Sequence, residues 1–436
     1  MAKKCPNCEC YLNSINQGKR PKARKMKQQR LIVIGGGAAG FFCAVNAARL
    51  NPALDVIIVE RTGKVLQKVK VSGGGRCNVT HACFDITEMA SRYPRGEKFV
   101  KKAFYQFFTT DTMEWFQSRG VELKTEPDGR MFPMANTSQA IIDCLMNDLN
   151  KYRVNLQLNK PVEKIEPSAN GFKIQFTNNE IMQADFVMLA CGGFQKLIQF
   201  NWMNNLNLKI AEPVPSLFTF NFPKHPLNNL MGVVGANAQV KIAGTKLVNQ
   251  GPVMITHWGL SGPGILRLSA FAARDLAAVN YQFTIIVNWC TDYNEQSFVQ
   301  KIQSLRNQSA SQKPINGNFT GLPSRLWEFM LQQSGIDDTK RWADLQSAMI
   351  NKLAKCICAY EMKAEGKTTF KEEFVTAGGI TLSEIDANSM MSKQHPGLYF
   401  GGEIMDVDGI TGGYNFQHAW TSGFVAAKHI AASSNR

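Results

Sequence analysis

Short uncharged apolar runs alternate with stretches of helical spacing along the first part of this 436-residue chain. Leu31–Ile34 and Val56–Val59 are such runs, which predicts parallel strands covered on both faces. Between them Phe41–Leu50 reads as a helix, and Asn51-Pro52 stops it. Residues 97–120 carry Phe99, Ala103, Phe107 and Phe108 on one side, then Trp115 and Phe116, which predicts a further helix. Asp111 and Glu114 there resemble a capping box. Ser138–Asn150 predicts an amphipathic helix with Ile141, Ile142, Leu145, Met146 and Leu149 inward. Short strands are expected at Asn155–Leu158, Val162–Pro167 and Phe172–Phe176. Asp185–Ala190 is apolar and runs into Cys191-Gly192-Gly193, a further strand ending in a tight turn.

The pattern changes over residues 196–375. Strands are predicted at Leu217–Phe222, Gly232–Ile242, Val253–Thr256 and Gln282–Asn288. Helices are predicted at Ile265–Val279, Glu295–Gln308, Ser324–Gln333 and Ala343–Cys356. This is an insert with a β-rich half and a helical half. Within it, residues 256–264 (THWGLSGPG) offer His257 and Ser261 for substrate, although the glycines and Pro263 also explain a plain turn. Strand character returns at Phe374–Ile380 and at Leu398–Phe400, before a glycine turn and a closing helix.

The junction after the first strand carries chemistry. Gly35-Gly36-Gly37-Ala38-Ala39-Gly40 has glycines at positions 1, 3 and 6 of a G-x-G-x-x-G turn. Gly35 permits the turn, Gly37 lets the backbone approach a pyrophosphate, and Gly40 lets helix and strand pack. The helix start offers free N–H groups and the positive end of its dipole. Glu60 ends the second strand 25 residues after Gly35, close to the roughly 20 expected of an acid that binds a ribose hydroxyl. Strand, helix, strand and terminal carboxylate in this order predict a dinucleotide site. A second glycine loop, Ser72-Gly73-Gly74-Gly75-Arg76-Cys77-Asn78, supplies donors and a thiol near it.

Composition narrows the setting. The chain contains no run of about 18 apolar residues, so no membrane span is expected. Eleven cysteines without regular spacing do not make a disulfide framework and point to the cytoplasm. Cys5, Cys8 and Cys10 form half a zinc ligand set, but no fourth ligand follows, so no metal is expected. The net charge of +15 is uneven: residues 1–30 hold nine basic and one acidic residue, and 196–375 hold 18 basic and 12 acidic. Residues 1–26 read as a basic, disordered arm. Basic surface on the insert fits a polyanionic partner such as RNA, or simply a soluble face.

Four motifs together, VSGGGRCNVT, THWGLSGPG, FVTAGGI and LYFGGEIMDVDGITGGYNFQHAW, resemble the BaiN/RdsA (YhiN-like) family of FAD-dependent oxidoreductases over about residues 27–436. The resemblance implies an α/β fold. A Rossmann-like FAD-binding domain, of the glutathione-reductase or fumarate-reductase type, would comprise 27–195 and 376–436. The insert, 196–375, would be a β-barrel-like plus helical substrate domain. Gly35, Gly37, Ala38, Ala39 and Gly40 would hold the pyrophosphate, and Glu60, beside Arg61, the adenosine ribose. Val162 would meet the adenine through its backbone. Ser72–Asn78 would lie beside the flavin. Cys191, Gly192 and Gly193 would turn against the cofactor, with Cys191 where related flavoproteins carry threonine. Gly402 and Glu403 would bind the ribityl chain, with Asp406 nearby, and Gly413, Tyr414 and Asn415 would offer amides to the flavin's pyrimidine edge. The family implies reduction of a C=C bond conjugated to a carbonyl, with NAD(P)H as a transient co-substrate. The candidate substrates are uridine in ribosomal RNA, giving dihydrouridine, and a small steroid-like enone; amine oxidation is a further alternative. Neither DNA nor a membrane is an expected partner. Cys77 and His257 are the candidate proton donors.

Overall fold

The computed structural model describes residues 28–369 and 375–434. The basic arm with Cys5, Cys8 and Cys10, and Phe374 of the expected returning strand, lie outside the described residues. Five parallel strands form the main sheet: β1 (Arg30–Ile34), β2 (Asp55–Val59), β3 (Asn155–Gln157), β4 (Phe186–Leu189) and β5 (Leu398–Phe400). Their order is β5-β4-β1-β2-β3. Val33 of β1 lies between Ile58 of β2 and Met188 of β4. Leu31, Ile32 and Val33 are fully buried, which explains a strand of uninterrupted apolar residues. Each such side chain contributes about 1.5–3 kcal/mol on burial.

Helix α1 (Ala38–Leu50) joins β1 to β2, and the long closing helix α2 (Tyr414–Ser433) packs against it. Their approach depends on small residues. A Cβ on Gly423 would stand 2.7 Å from the Ala39 carbonyl oxygen. The chain therefore contributes the sheet's central and terminal strands from positions more than 350 residues apart, and its last helix covers its first.

The region between β4 and β5 builds a second, seven-stranded antiparallel sheet. Its two edges are consecutive pieces of chain, Tyr360–Glu365 and Lys367–Thr368, bent at Gly366 (φ +96°). A single bent segment serving both edges makes the sheet barrel-like. Helices Glu295–Gln308, Ser324–Gln333 and Ser347–Cys358 follow the β-rich part. Two connecting strands, Ile210–Ser216 and Val375–Ile380, pair antiparallel as a separate two-stranded sheet. The apolar core falls into two clusters, one around Ile32, Phe42 and Trp420 and one around Phe220, Val287 and Trp327. Among the described residues no helix is long and apolar enough to cross a membrane.

Several elements depart from the pattern reading. The single helix expected over 97–120 is two, Glu97–Phe104 and Thr109–Gln117. Phe107 and Phe108 occupy the break, with Phe107 against Phe424 and Phe108 against Phe104. Packing of these rings overrides helical propensity, and Asp111 restarts the helix by accepting the Phe108 N–H at 2.6 Å. The helix expected over Ile265–Val279 likewise divides into Pro263–Phe271 and Ala273–Ala278. Thr80–His81, Leu123–Thr125 and Arg130–Pro133 form a small sheet that the pattern did not reveal. Strands of two to four residues are too short to display a period. Gly259–Ser261, inside the expected turn, is a strand pairing with Phe220 and Asn221.

Candidate functional site

The glycines of the opening turn divide into two physical roles. A Cβ on Gly35 (φ +115°) would stand 2.4 Å from the Ala190 oxygen, and one on Gly40 would stand 2.1 Å from the Gly35 oxygen. Both are dictated by packing. A Cβ on Gly37 would meet nothing nearer than 4.0 Å. Open space at this glycine leaves the backbone accessible to a ligand. The N–H groups of Ala38, Ala39 and Gly40 have no acceptor among the described residues, as a first helical turn awaiting an anion requires. Glu60 stands at the end of β2. One carboxylate oxygen accepts the Gly36 N–H at 2.9 Å, and the other accepts both the N–H and hydroxyl of Thr62 at 2.9 Å. The carboxylate is thus held against the turn, with Arg61 exposed beside it. Lys160 N–H donates to the Glu60 carbonyl oxygen at 2.9 Å, which brings the half-buried Val162 segment alongside.

The second glycine loop grows out of a short helix. Ser72, Gly73 and Gly74 leave helical geometry. Gly74 and Gly75 face open space, whereas Gly73 presses on Phe132. Arg76 pairs with Glu126 at 2.6 Å and lies over the Phe132 ring at 4.0 Å, so its charge is used to fix the loop. Asn78 ties this loop to the closing turn. In the orientation that satisfies its network, its amide oxygen accepts the Gly413 N–H at 2.9 Å and its NH2 donates to the Thr80 oxygen at 3.0 Å.

That bond corrects the expectation for the closing turn. The Gly413 amide is spent on Asn78, and the Asn415 side chain is spent on Gly409, accepting its N–H at 2.8 Å and donating to its oxygen at 2.9 Å. The amides without an acceptor at the start of α2 are those of Tyr414, Asn415 and Phe416. The helix start remains an anion-facing end, shifted one residue onward.

Cys191-Gly192-Gly193 and Gly402-Glu403 meet at the ends of β4 and β5. A Cβ on Gly193 would stand 2.7 Å from the Thr376 hydroxyl and 2.8 Å from a Glu403 carboxylate oxygen. Glu403 accepts the Thr376 N–H at 3.0 Å and pairs with Lys68. Gly402 (φ +70°) donates its N–H to the Ser422 hydroxyl at 2.9 Å. Asp406 does not face this cradle alone, because both its oxygens accept from Arg274 of the inserted region at 2.8 Å.

The two candidate proton donors are poorly placed for that work. Cys77 is fully buried at φ +62°, and burial pushes its thiol up to about 12. Such a thiol neither reaches substrate nor exchanges readily. His257 is exposed beyond the strand Val248–Ile255, its ring against Trp258 at 3.9 Å, and it makes no hydrogen bond to either glycine turn. Sequence reasoning also passed over a buried link between the two cores. Arg95 donates to Asp408, to the Ser216 hydroxyl and to the Ala270 oxygen, and Asp408 also accepts the Ser216 hydroxyl at 2.7 Å. Its members lie up to 313 residues apart, so no local signal reveals it.

A parallel sheet whose first turn leaves Gly37 open, with an acid at the end of β2, defines a Rossmann-type dinucleotide-binding fold. Residues 29–429 match the family model described as HI0933-like protein Rossmann domain, and the chain belongs to that family. It is 28% identical to the 3-dehydro-bile acid delta(4,6)-reductase of Clostridium scindens over 92% of this chain and 99% of that protein. It is likewise 28% identical to the ribosomal RNA dihydrouridine synthase of Escherichia coli over 94% of this chain and 100% of that protein. Among solved structures it is similar to a flavocytochrome c3 fumarate reductase in its open conformation, at 16% identity and a TM-score of 0.48, covering 94% of this chain and 79% of the other.

Proposed function

We propose that this protein is an FAD-dependent oxidoreductase that reduces a C=C bond conjugated to a carbonyl, with uridine in ribosomal RNA as the substrate and dihydrouridine as the product. The observation that carries the reading is the cradle itself: an open Gly37, free amides at the starts of α1 and α2, and a tethered Glu60, all at one end of the parallel sheet. An elongated molecule with a ribose, a pyrophosphate and an electron-rich ring fits these donors and acceptors in that order. Relatives named for a bile-acid reductase and for a dihydrouridine synthase, each matched over more than nine-tenths of this chain, support ring reduction. The excess of six positive charges on residues 196–375 supports a nucleic-acid substrate.

The residues divide the work as follows. Ala38, Ala39 and Gly40 amides hold the pyrophosphate, helped by the α1 dipole. Glu60 accepts from a ribose hydroxyl while its remaining bonds keep it fixed. Gly402 and Glu403 line the ribityl chain, and the Tyr414, Asn415 and Phe416 amides steady negative charge at the pyrimidine edge. When bound, FAD supplies a carrier that takes up two electrons and delivers them as hydride. NAD(P)H is the proposed electron donor; residues 196–375 contain no second G-x-G-x-x-G turn, so it visits the substrate cavity transiently. The similarity to the bile-acid reductase supports a small-molecule enone as the second reading. Mass spectrometry of ribosomal RNA nucleosides, with and without the gene, decides between them. Unchanged dihydrouridine in the deletion strain refutes the RNA substrate, and NAD(P)H oxidation with an enone in the absence of RNA then supports the second reading.

A further inference from the structure

Four consecutive residues, Asn78 to His81, each hold the closing turn or the helix α2 that leaves it. Asn78 takes the Gly413 N–H at 2.9 Å. The Val79 carbonyl oxygen accepts the Trp420 indole N–H at 3.0 Å. The Thr80 hydroxyl donates to the Gln417 side-chain oxygen at 2.6 Å, and His81 Nδ1 lies 3.0 Å from the Gly412 oxygen. The approach is close enough to need glycine. Gly413 sits at φ +95°, and a Cβ there would stand 2.5 Å from the Thr80 carbonyl oxygen. These residues follow directly on Ser72–Cys77, so the second glycine loop and the closing turn are fastened to each other along one edge.

Gln417 is the centre of this clasp. It is fully buried, as are Thr80, Thr112 and Thr421 around it. Its side-chain oxygen is the only acceptor of the Thr80 hydroxyl among the described residues. Thr112 also reaches that oxygen, at 3.0 Å, but shares its one proton with the Phe108 oxygen at 3.0 Å. The Gln417 NH2 donates to the Thr421 hydroxyl at 3.1 Å, which in turn donates to the Phe107 oxygen at 2.9 Å. The amide is thus fixed at both ends by partners of the right kind, and a satisfied buried network of this sort is rigid. Its backbone also acts on the turn. The Gln417 N–H donates to the Gly413 oxygen at 3.0 Å. That oxygen shares one planar peptide with the Tyr414 N–H, so the bond aims the Tyr414 amide. The Tyr93 hydroxyl does the same for the Asn415 amide by donating to the Tyr414 oxygen at 2.6 Å.

We infer that Gln417 is a positioning residue. By gripping Thr80 it holds the strand beside Asn78 against the closing turn, and so keeps the free amides of Tyr414, Asn415 and Phe416 aimed at the electron-rich edge of the flavin. The inference rests on the reading of the site as an FAD cradle. Reduction adds negative charge to that edge. Amides fixed in place before the charge arrives favour the reduced form, because nothing has to reorganise. Loosening them weakens the hold on reduced flavin more than on oxidised flavin, and lowers the reduction potential of the bound cofactor. A glutamine that merely packs the interior would affect stability and leave the potential alone.

The test compares Gln417→Leu, Thr80→Val and Thr112→Val in the full-length holoprotein. Each removes one buried polar partner, but Thr112 reaches Gln417 from the helix Thr109–Gln117, outside the Asn78–His81 strand. Thermal melting reads the loss of stability common to all three. Anaerobic dithionite titration beside a reference dye reads the flavin potential. Gln417→Leu and Thr80→Val are expected to lose about tenfold in preference for reduced over oxidised flavin, the worth of about one hydrogen bond. For a two-electron couple that is a potential about 30 mV lower. The double variant shifts no further than either single one, because both cut the same link. Thr80→Ser keeps the hydroxyl and the parent potential, and Thr112→Val melts lower at the parent potential. In the flavin-free protein, hydrogen exchange of the Gly413 and Gln417 amides quickens in Gln417→Leu and in Thr80→Val but not in Thr112→Val. If Gln417→Leu does not fold, Thr80→Val carries the same test. An unchanged potential in the Gln417 and Thr80 variants, or an equal fall in Thr112→Val, overturns the inference. A parent protein that takes up no flavin overturns the functional reading instead, and exchange at Gly413 still reads the clasp.

Discussion

Removing Arg95 tests how the two halves of the molecule are held together. Asp408 is fully buried and accepts from Arg95 and from the Ser216 hydroxyl; Arg95 is also mostly buried and caps the Ala270 carbonyl. Burial pushes the Asp408 carboxyl up from its usual range, while Arg95 and Ser216 pull it back. Arg95→Met therefore leaves a buried carboxylate with one hydroxyl, and breaking one partner of such a pair costs about 3–5 kcal/mol. The carboxylate limits the damage by taking up a proton. A folded-state pKa raised further above the unfolded value means that the folded variant binds more protons, so its stability falls as pH rises through that window. The deficit against the parent protein is thus larger at pH 8 than at pH 5. Replacing both partners, Arg95→Met with Asp408→Leu, removes the stranded charge and regains most of the loss. Thermal unfolding followed by tryptophan fluorescence at both pH values is the assay. A single variant that melts within a degree of the parent, or a double variant no better than the single, refutes the reasoning.

Gly37→Ala and Gly40→Ala separate ligand approach from packing. The Gly37 variant is expected to fold normally yet lose most of its bound flavin, because its Cβ enters open space, whereas the Gly40 variant, whose Cβ would lie 2.1 Å from a carbonyl oxygen, is expected to lose stability; visible absorbance and thermal melting check the pair, and equal flavin content in the Gly37 variant contradicts the assignment. Glu60→Gln keeps the side chain's shape but weakens its acceptor, and should reduce FAD affinity roughly tenfold by the worth of a charged hydrogen bond, read by flavin fluorescence on dilution. Cys77, with its thiol pushed up to about 12 by burial, should resist iodoacetamide at pH 8 in the folded protein, and rapid labelling of this residue by peptide mass spectrometry would show the enclosure to be wrong.

How much of this was legible beforehand differs from element to element. The strand–turn–helix–strand unit was readable because each step is local: Leu31–Ile34 is uniformly apolar, the glycines follow at once, and Glu60 ends the next strand. The helix broken at Phe107 and Phe108 was not, because the rings that pull it apart include Phe424, more than 300 residues away. The small sheet of Thr80–His81 and Arg130–Pro133 was too short to carry a period.

By itself the chain's order of residues determined the Rossmann-type unit, the second glycine loop, the change of pattern after residue 195 and the closing glycine turn, since these are written in neighbouring positions. Only the tertiary structure decided which glycines serve packing and which stands open, that Asn78 takes the Gly413 amide, and that Cys77 is sealed. It also decided that Arg95 finds Asp408. The reason is physical: a hydrogen bond or ion pair between residues hundreds of positions apart leaves no periodic trace, and exists only once both cores have formed around it.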